Sequence, residues 1–372
     1  MAKSKNSDLS AAKAARKDEF YTQLTDIEKE MRYYRKHFKG KTVFCNCDDP
    51  FESNFFKYFV LNFNRLGLKK LIATCYTGSP IANQQLSLFD VIGEDKERFN
   101  KPYKAVVTTV YDKTGDGGVD MIDVAELFKS GENELTELEG NGDFRSPECL
   151  ELLDEADIVV TNPPFSLFRE YVVTLIEHNI SFIIIGNVNA LKYKEIFPYI
   201  ITNRIWLGAS IHSGDRAFFV PDDYPLNASN CGIDKETGRK YIRVKGVRWY
   251  TNLDLKQRHE ELILVKKYQP EINKLYDNYN AIEVSKTADI PYDYDGIMGV
   301  PITFFDKYCP DQFEVIWQAS GNTRASAPPA VLERLGYTAS KEDRGGCCLL
   351  NGKRTYDRIF IRNKHLESPK ES

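Results

Sequence analysis

A short apolar run that ends at two consecutive prolines constrains the fold of this chain more than any other feature. The β-branched residues Ile158–Val160 favour a strand that is buried on both faces. Pro163 and Pro164 supply no backbone donors, so the strand cannot continue past them. From Leu167 to Ile176 apolar residues recur at helical spacing, which predicts a helix capped by Ser166. The segment is therefore typical of an open α/β sheet, which binds ligands where such strands end.

The turn itself, Asn162-Pro163-Pro164-Phe165, carries groups suited to holding a planar amino group. The Asn162 side-chain oxygen and the Pro163 carbonyl oxygen can each accept a hydrogen bond from an exocyclic amine. The Phe165 ring can stack on the heterocycle that carries the amine. Two acceptors draw the amine out of conjugation, so its lone pair can attack an electrophilic methyl group. The alternative is a plain turn that ends a strand, with Phe165 in the core.

Patterns nearer the start of the chain predict another unit of the same fold. Lys41–Cys47 is expected to form a strand, and Ser53 caps a following helix that ends at Gly67. Leu71–Tyr76 is the next expected strand. A strand, a helix and a strand in this order form the βαβ unit of a doubly wound sheet.

These residues together resemble a known class of enzymes. The Asn-Pro-Pro-Phe turn resembles motif IV of the amino-methyltransferases that use S-adenosylmethionine. The sequence around it resembles the EcoRI-type family of adenine-specific DNA methyltransferases, over most of the chain and most densely between Lys17 and Leu253. The runs that carry the resemblance are Lys17–Thr22, which is similar to the N-terminal cofactor motif of such enzymes, Phe44–Pro50, Ser53–Phe59, Asp215–Pro221 and Val247–Leu253.

The resemblance implies a fold and a division of the chain. The fold is α/β, a Rossmann-like class I methyltransferase with a doubly wound, mostly parallel sheet and a C-terminal α+β target-recognition region. The expected parts are a flexible basic arm at 1–16, a methyltransferase domain at 17–255 with an acidic insertion at 79–140, and a DNA target-recognition region at 256–372. Lys256–Tyr279 in the last part is expected to be helical, and Asn351-Gly352 predicts a hairpin.

The place where most methyltransferases carry a glycine-rich turn holds no glycine in this chain. Asn46, Cys47, Asp48 and Asp49 occupy it. An acid at 48 or 49 can pair with the ammonium group of the cofactor, or can form an Asx turn before the helix. The second strand likewise ends without an acid for the ribose hydroxyls. The cofactor-binding residues implied by the resemblance are Phe20, Tyr21, Asn46, Cys47, Asp48, Asp49, Cys75, Tyr76, Asp143, Phe144 and Asn162.

Charge is segregated along the chain, although the net charge is only -4. Acids dominate between Asp112 and Asp157, whereas bases dominate between Lys235 and Arg258 and recur between Lys341 and Arg362. An acidic half and a basic half fit a DNA enzyme with a separate cofactor side, and a solvated face is the alternative for either basic cluster. Three turns in the last part of the chain, at 321–324, 344–346 and 351–354, also carry basic residues, which can reach base edges in the major groove. The DNA-binding residues expected from the basic clusters and these turns are Arg239, Lys240, Arg243, Lys245, Arg324, Arg344, Lys353 and Arg354.

Composition bounds the cellular setting. No apolar run approaches the length of a membrane span, and the start of the chain has no signal-peptide core. Eight cysteines are scattered without zinc-ligand spacing. We therefore expect a cytoplasmic protein with reduced thiols, no metal and no membrane partner.

The function implied by the resemblance is transfer of a methyl group from S-adenosylmethionine to N6 of adenine in double-stranded DNA. The target base must leave the helix, because its amino group cannot reach a methyl donor inside the stack. In this hypothesis Asn162 and Pro163 orient the amine, Pro164 keeps the turn rigid, and Phe165 stacks on the flipped base. A monomer is expected, and an accompanying restriction endonuclease is left open.

Several alternatives share this chemistry or this fold. Cytosine-N4, RNA bases and protein glutamine amides also present a planar amine to the same tetrapeptide. A catalytically silent DNA-binding protein of the same fold is an alternative of another class. Cytosine-C5 methylation is disfavoured, because its nucleophile is usually found in a Pro-Cys pair, which is absent from this sequence.

Overall fold

The computed structural model describes residues 21–47, 53–75, 102–220, 224, 230–235 and 237–365. The chain divides into two compact units. The first comprises Met1–Ala190 and Gly208–Leu253, and the second comprises Leu191–Leu207 and Asp254–Ser372. The sequence assigns 191–207 to the methyltransferase domain with the preceding strands, whereas the contacts of the fold group this segment with the C-terminal part.

The secondary structure alternates between helices and strands through the first unit and is richer in strands in the second. The α-helices are α1 (Leu24–Met31), α2 (Arg35–Phe38), α3 (Asn54–Leu61), α4 (Phe63–Leu66), α5 (Met121–Lys129), α6 (Pro147–Glu155), α7 (Phe168–Glu177), α8 (Phe197–Ile201), α9 (Thr323–Ser326) and α10 (Pro329–Arg334). Short 3₁₀-helices span Val188–Lys192, Lys256–His259, Thr287–Asp289 and Ile302–Lys307.

The strands are distributed over both units, and most of them are short. In chain order they are β1 (Thr42–Cys45), β2 (Lys70–Thr74), β3 (Tyr103–Val107), β4 (Glu134–Glu137), β5 (Ile158–Thr161), β6 (Ser181–Asn187), β7 (Trp206–Leu207), β8 (Asp215–Phe219), β9 (Cys231–Ile233), β10 (Lys240–Lys245), β11 (Val247–Thr251), β12 (Ala281–Glu283), β13 (Ile297–Val300), β14 (Phe313–Ala319), β15 (Leu349–Leu350), β16 (Lys353–Arg354) and β17 (Arg358–Asn363).

The main sheet of the first unit has the strand order β4-β3-β2-β1-β5-β6-β11. Its central strands β2, β1, β5 and β6 are parallel, and β3, β4 and β11 add to it in antiparallel fashion. Every residue of β1 and β5 is buried, as expected for parallel strands covered on both faces. The strand order reverses direction between β1 and β5, and open α/β sheets place ligands at such a switch point.

The helix after β1 begins where the sequence predicts. The Ser53 side chain accepts a hydrogen bond from the Phe55 backbone N–H at 3.2 Å, which caps α3. The aromatic residues Phe55, Phe56 and Phe59 are buried. Gly67 closes α4 with a φ of 63°, a left-handed conformation that glycine adopts at low cost.

A buried carboxylate ties α1 to the segment before β8. Glu30 is fully buried and accepts hydrogen bonds from the backbone N–H groups of Ala209 and Ser210, at 2.8 and 2.7 Å. It also accepts one from the Tyr34 hydroxyl at 2.8 Å. Burial, followed by the nearby Glu30 charge, raises the pKa of Tyr34 well above its usual value. The carboxylate is thus satisfied inside the core.

The described part of the acidic insertion extends the main sheet. β3 pairs antiparallel with β2 and with β4. Asp120 caps α5, and its side chain and that of Asp123 form a reciprocal capping box. The sequence predicts a strand from Tyr103 to Tyr111, and the observed strand ends earlier, at Val107.

A separate three-stranded antiparallel sheet lies within the first unit, in the order β8-β10-β9. Its edge strand β8 pairs with the N-terminal part of the chain through one antiparallel bridge. Tyr21 donates its backbone N–H to the Phe219 carbonyl at 3.0 Å, and Phe219 donates in return to the Tyr21 carbonyl at 3.2 Å. The bridge attaches the N-terminal segment to this sheet.

The second unit has its own sheet, in the order β12-β13-β17-β14, and a hairpin formed by β15 and β16. The hairpin turn is Asn351-Gly352, with φ values of 52° and 71°, as the sequence predicts for an Asn-Gly pair. The Asp277 carboxylate accepts from the backbone N–H groups of both turn residues, at 3.3 and 2.6 Å. The turn is therefore held at both of its central residues.

Two predictions of local structure were wrong. Leu167 and not Ser166 occupies the N-cap position of helix α7, which begins at Phe168, and the Leu167 N–H bonds to the Pro164 carbonyl at 2.9 Å. Lys256–Tyr279 contains one short 3₁₀-helix instead of a long helix. Consecutive apolar residues at 262–265 and Pro270 oppose a helical face there. Among the described helices, none has the length and apolarity to cross a membrane.

Candidate active site

Two asparagines follow the neighbouring strands of the switch point. Asn46 comes directly after β1 and Asn162 directly after β5, and they are only 4% and 3% exposed. The Thr161 hydroxyl donates a hydrogen bond to the Asn46 backbone carbonyl, which joins the two strand ends. Buried amide side chains at the carboxyl edge of a parallel sheet form a polar site inside an apolar core.

The proline turn leads from Asn162 to an aromatic ring. Pro163 is buried, and Pro164 and Phe165 are half-buried. The Phe165 ring lies edge-to-face with that of Phe218 in β8, with 6.5 Å between centroids and an interplanar angle of 89°. Phe218 is buried in the core. The three-stranded sheet thus contacts the turn through this ring pair.

A tyrosine from α7 fixes the Asn46 side chain. The Tyr171 hydroxyl donates a hydrogen bond to the Asn46 side-chain oxygen. Burial raises the pKa of Tyr171 well above its usual value, so the hydroxyl keeps its proton. From the sequence, Tyr171 is assigned only to the apolar stripe of its helix. A hydroxyl-bearing ring within such a stripe is the signal that could have identified it.

Cys47 takes the place of the missing glycine. Its φ is 80°, in the left-handed region that glycine usually occupies. The backbone therefore turns at this position despite the side chain, at a conformational cost typical of functional sites. The neighbouring Asp48 and Asp49, and the other expected cofactor residues Phe20 and Tyr76, lie outside the described residues.

A glycine brings the loop before α6 against the end of β2. A Cβ atom at Gly142 would lie 2.0 Å from the Cys75 carbonyl oxygen, so only glycine fits this approach. Phe144 packs edge-to-face on Tyr171 at 4.9 Å between centroids. The structure thus brings the expected residues Cys75 and Phe144 beside the Asn46 side of the site.

The adjacent Asp143 is oriented by an ion pair. Arg145 contacts the Asp143 carboxylate at 2.6 Å and Glu170 at 3.2 Å. Hydrogen bonding from Arg145 lowers the pKa of Asp143 below its usual value. The Arg145 guanidinium also lies over the Phe144 ring, 5.3 Å from its centroid. Sequence reasoning missed Arg145, although its position two residues after an acid allows a local pair.

The N-terminal segment reaches the helix that follows β1. The Thr22 carbonyl accepts a hydrogen bond from the Asn54 side chain at 2.7 Å, in the first turn of α3. Thr22 is 3% exposed, and its hydroxyl makes no hydrogen bond within the part of the chain that the structure describes. Tyr21, expected near the cofactor, is buried beside it.

The expected DNA-binding residues of the first unit differ in their surroundings. Arg243 and Lys245 are exposed on β10, and Arg243 lies 3.9 Å from Asp215. Lys240 is half-buried and donates to the Tyr224 carbonyl at 3.3 Å. Arg239 is half-buried and lies against two aromatic rings. Arg243 and Lys245 are thus the two most accessible of these cations.

The second unit also separates its expected DNA-binding residues into two groups. Arg344 is exposed at a φ of 49°, and Lys353 and Arg354 are exposed on β16. Arg324 instead donates to the fully buried Asp343 carboxylate at 2.7 Å and to the Tyr337 hydroxyl at 2.9 Å. Arg324 therefore has a partner within the protein, and this partner lies 19 positions away in the sequence.

Metal ligation has no candidate in the described ranges, since no group of three or more His, Cys, Asp or Glu side chains is arranged to hold an ion. The chemical groups at the strand ends are amides, hydroxyls and aromatic rings. Amide oxygens accept hydrogen bonds from a planar amine, and aromatic rings stack on a heterocycle.

Comparisons with known proteins identify the family. The family described as "Adenine-specific methyltransferase EcoRI" matches residues 8–364. The Type II methyltransferase M.EcoRI of Escherichia coli is 43% identical over 363 residues, which cover 96% of this chain and 97% of that protein. The Type II methyltransferases M.MgeORF184P of Mycoplasma genitalium and M.MpnI of Mycoplasma pneumoniae are 35% and 34% identical, each over 95% of this chain and over 98% and 97% of their own lengths.

The fold and the comparisons agree. The mixed α/β architecture, with its large and centrally parallel sheet and its separate C-terminal sheets, confirms the class I methyltransferase fold. Enzymes of this kind in general use S-adenosylmethionine. With the family matched over nearly the whole chain, this protein belongs to the EcoRI-type adenine-specific methyltransferases.

Proposed function

We propose that this chain transfers a methyl group from S-adenosylmethionine to N6 of an adenine at a specific site in duplex DNA. The observation that carries the proposal is the pair of buried asparagines at the switch point. Asn162 opens the Pro-Pro-Phe turn at the end of β5, and Asn46 lies beside it at the end of β1. The family, whose description names adenine, supports the choice of base.

The turn supplies the acceptors that the amine needs. The Asn162 side-chain oxygen and the Pro163 carbonyl oxygen accept one hydrogen bond each from the N6 amino group. Both acceptors belong to a segment stiffened by Pro163 and Pro164, so they are positioned before substrate arrives. Holding the nitrogen in line with its methyl donor converts a bimolecular step into an intramolecular one, and positioning supplies most of the rate.

Phe165 holds the base that carries the amine. Its ring is half-buried and lies edge-to-face with Phe218, so the face that stacks on the base is held in position. The adenine leaves the helix to reach this face. Stacking on an aromatic ring is worth about 1–3 kcal/mol per base, which offsets part of the cost of unstacking.

The residues at the switch point fit the cofactor. Gly142 lets the loop that carries Asp143 and Phe144 lie against the Cys75 carbonyl, and the buried Thr22 hydroxyl has hydrogen-bonding capacity that the described residues do not use. Bound there, S-adenosylmethionine supplies an electrophilic methyl group on a sulfonium. Residues that would hold it, within the described part of the chain, are Tyr21, Asn46, Cys47, Cys75, Asp143, Phe144 and Asn162.

Exposed cations in both units bind the DNA backbone and base edges. Arg243 and Lys245 on β10 and Arg344, Lys353 and Arg354 in the second unit have the exposure that phosphate contacts need. The hydrogen bond from the Gly352 N–H to Asp277 holds the hairpin turn, and so fixes the backbone position of Lys353 and Arg354. We assign the second unit to recognition of the DNA target.

The test is incubation with isotopically labelled S-adenosylmethionine and unmethylated duplex DNA, followed by nucleoside analysis. The wild type should form N6-methyladenine, and Asn162→Ala should lose activity by at least about a hundredfold, the usual size of the loss when a transition-state hydrogen bond is removed. Asn64→Ala is the matched control, because Asn64 is an exposed asparagine on α4 that contacts the Val110 carbonyl.

Each other outcome identifies a different function. Label in cytosine would indicate N4 methylation, and label in RNA or in glutamine amides would replace the DNA substrate. DNA binding without cofactor binding in calorimetry would indicate a silent DNA-binding protein. The same preparation, analysed by light scattering, tests the expected monomer, and cleavage protection of methylated DNA tests whether a restriction endonuclease is its partner.

A further inference from the structure

Arg239 lies between the N-terminal segment and the three-stranded sheet. Its guanidinium carbon is 5.3 Å from the centroid of the Tyr21 ring and 4.6 Å from that of the Phe219 ring. No carboxylate in the described ranges lies within ion-pair distance of it. A planar guanidinium over aromatic faces is a favourable arrangement that a lysine ammonium reproduces poorly.

The turn before β10 holds the backbone of Arg239 in place. The Asp234 side chain accepts from the Thr237 backbone N–H and hydroxyl, both at 2.8 Å. The Gly238 N–H bonds to the Asp234 carbonyl at 2.9 Å, and Gly238 has a φ of 71°. The Asp234 N–H in turn bonds to the Arg239 carbonyl at 2.8 Å. Arg239 therefore directly follows a turn that is held by several hydrogen bonds.

The two rings under Arg239 belong to segments that are bonded to each other. Tyr21 and Phe219 exchange backbone hydrogen bonds in the antiparallel bridge. A single bridge of this kind is a weak attachment for a chain segment, because isolated strand pairs are marginally stable. The guanidinium that covers both rings reinforces it.

The segment held in this way reaches the cofactor side of the site. Thr22, next to Tyr21, accepts a hydrogen bond from Asn54 at the start of α3. The amino end of the helix that follows β1 lies at the carboxyl edge of the sheet, where ligands bind. The buried Thr22 hydroxyl is thus carried to this edge by a segment whose other end is fastened under Arg239.

We propose that Arg239 is a positioning residue for cofactor binding, which keeps the Tyr21–Thr22 segment in place by stacking on Tyr21 and Phe219, and that it is not a contact to DNA phosphates. This inference rests on the proposed function for the identity of the cofactor. The inference assigns different roles to Arg239, which precedes β10, and Lys245, which ends β10. Lys245 is exposed, as a contact to phosphate requires.

The experiment compares Arg239→Ala, Arg239→Lys and Lys245→Ala by two binding measurements. Calorimetry with S-adenosylmethionine alone should show affinity about tenfold weaker in Arg239→Ala and several-fold weaker in Arg239→Lys, with no change in Lys245→Ala. The salt dependence of DNA binding should lose about one unit of slope in Lys245→Ala and none in Arg239→Lys.

Hydrogen exchange supplies a structural readout. Backbone amides of Tyr21 and Phe219 should exchange faster in both Arg239 variants, while the strands of the main sheet keep their protection. A general loss of stability would instead raise exchange throughout the unit. At saturating DNA, KM for S-adenosylmethionine should rise more than kcat falls, because the segment positions the cofactor and does not act on the amine.

One result overturns the inference. Arg239→Lys that binds S-adenosylmethionine like the wild type, with unchanged exchange at Tyr21, would show that charge and not ring stacking is what this position provides. This outcome is independent of the DNA reaction. Failure of the wild type to methylate DNA would remove the proposed function, whereas the calorimetric comparison would still decide the role of Arg239.

Discussion

The Tyr171 hydroxyl donates a hydrogen bond to the side-chain oxygen of Asn46, and both residues are buried. Helix α7 thereby holds the turn that follows β1, although the two residues are 125 positions apart in the sequence. The same helix follows the Asn-Pro-Pro-Phe turn. One element therefore positions both strand ends of the switch point.

Replacing Tyr171 with Phe tests this connection. The ring and its contact with Phe144 remain, while the buried Asn46 oxygen loses its donor, which should cost about 1–3 kcal/mol of unfolding free energy. S-adenosylmethionine binding should weaken along with it, as measured by calorimetry and urea unfolding. Tyr356→Phe is the control, since Tyr356 is 86% exposed. Equal stability of the two variants would show that the bond contributes nothing.

Gly142→Ala should damage the cofactor side of the site directly. The added Cβ would lie 2.0 Å from the Cys75 carbonyl oxygen, so the loop must move away from β2. Gly131→Ala is a matched control, because both glycines have a φ of 75° and a Cβ at Gly131 meets nothing within 4 Å. Backbone strain alone costs about 1–2 kcal/mol in either variant.

The readout for the two glycine variants is cofactor affinity together with thermal unfolding. Both should lose stability, but only Gly142→Ala should weaken S-adenosylmethionine binding, by at least about tenfold. Similar affinities in the two variants would mean that the approach of Gly142 to Cys75 does not shape the site.

Local sequence signals predicted the elements around the site. The β-branched run and the two prolines determine the end of β5, and Asn351-Gly352 forms the hairpin with both of its positive φ values. These features depend on neighbouring residues only. A pattern of a few residues therefore carries enough information to place them.

Contacts between distant segments could not be predicted in the same way. The Tyr171–Asn46 hydrogen bond and the approach of Gly142 to Cys75 exist only after the sheet has formed. Arg324 illustrates the same limit. Its charge and its place in a turn predict a contact to DNA, and the sequence does not indicate that a buried carboxylate 19 positions away accepts its hydrogen bond. Charge patterns do not distinguish a solvated arginine from one with a tertiary partner.

The pH dependence of stability should include a contribution from His259 in the second unit. Its ring nitrogens contact Asp254 at 2.7 Å and Asp311 at 3.1 Å. Hydrogen bonds to Asp254 and then Asp311 raise the pKa of His259 above its usual 6.5. The bond to His259 lowers the pKa of Asp254 below its usual 3.8.

The signs of these shifts define a window. The histidine contribution is complete below pH 6.5 and is lost as pH rises through the higher folded pKa. The aspartate contribution is present above pH 3.8 and is lost on acidification. The difference in melting temperature between wild type and His259→Asn should therefore be larger at about pH 5.5 than at about pH 8.5. A difference that does not vary with pH would contradict this assignment.

Arg324 and Arg354 should respond differently to replacement by Ala. Arg324 donates to Asp343, which also accepts from the Tyr337 hydroxyl at 2.6 Å and the Gly345 N–H at 2.8 Å. Burial opposes ionisation of Asp343, but these hydrogen bonds lower its pKa to about 2. Removing Arg324 leaves a buried carboxylate with one donor fewer.

We expect Arg324→Ala to lower the stability of the second unit by about 1–3 kcal/mol, because a charge-assisted hydrogen bond to a buried group is lost. Arg354→Ala should leave stability unchanged and reduce the salt slope of DNA binding by about one unit, because Arg354 is exposed on β16. Urea unfolding and DNA titrations at several salt concentrations measure both quantities. If Arg324→Ala instead keeps full stability and lowers the salt slope, Arg324 contacts phosphate in the complex and its bond to Asp343 is exchanged on binding.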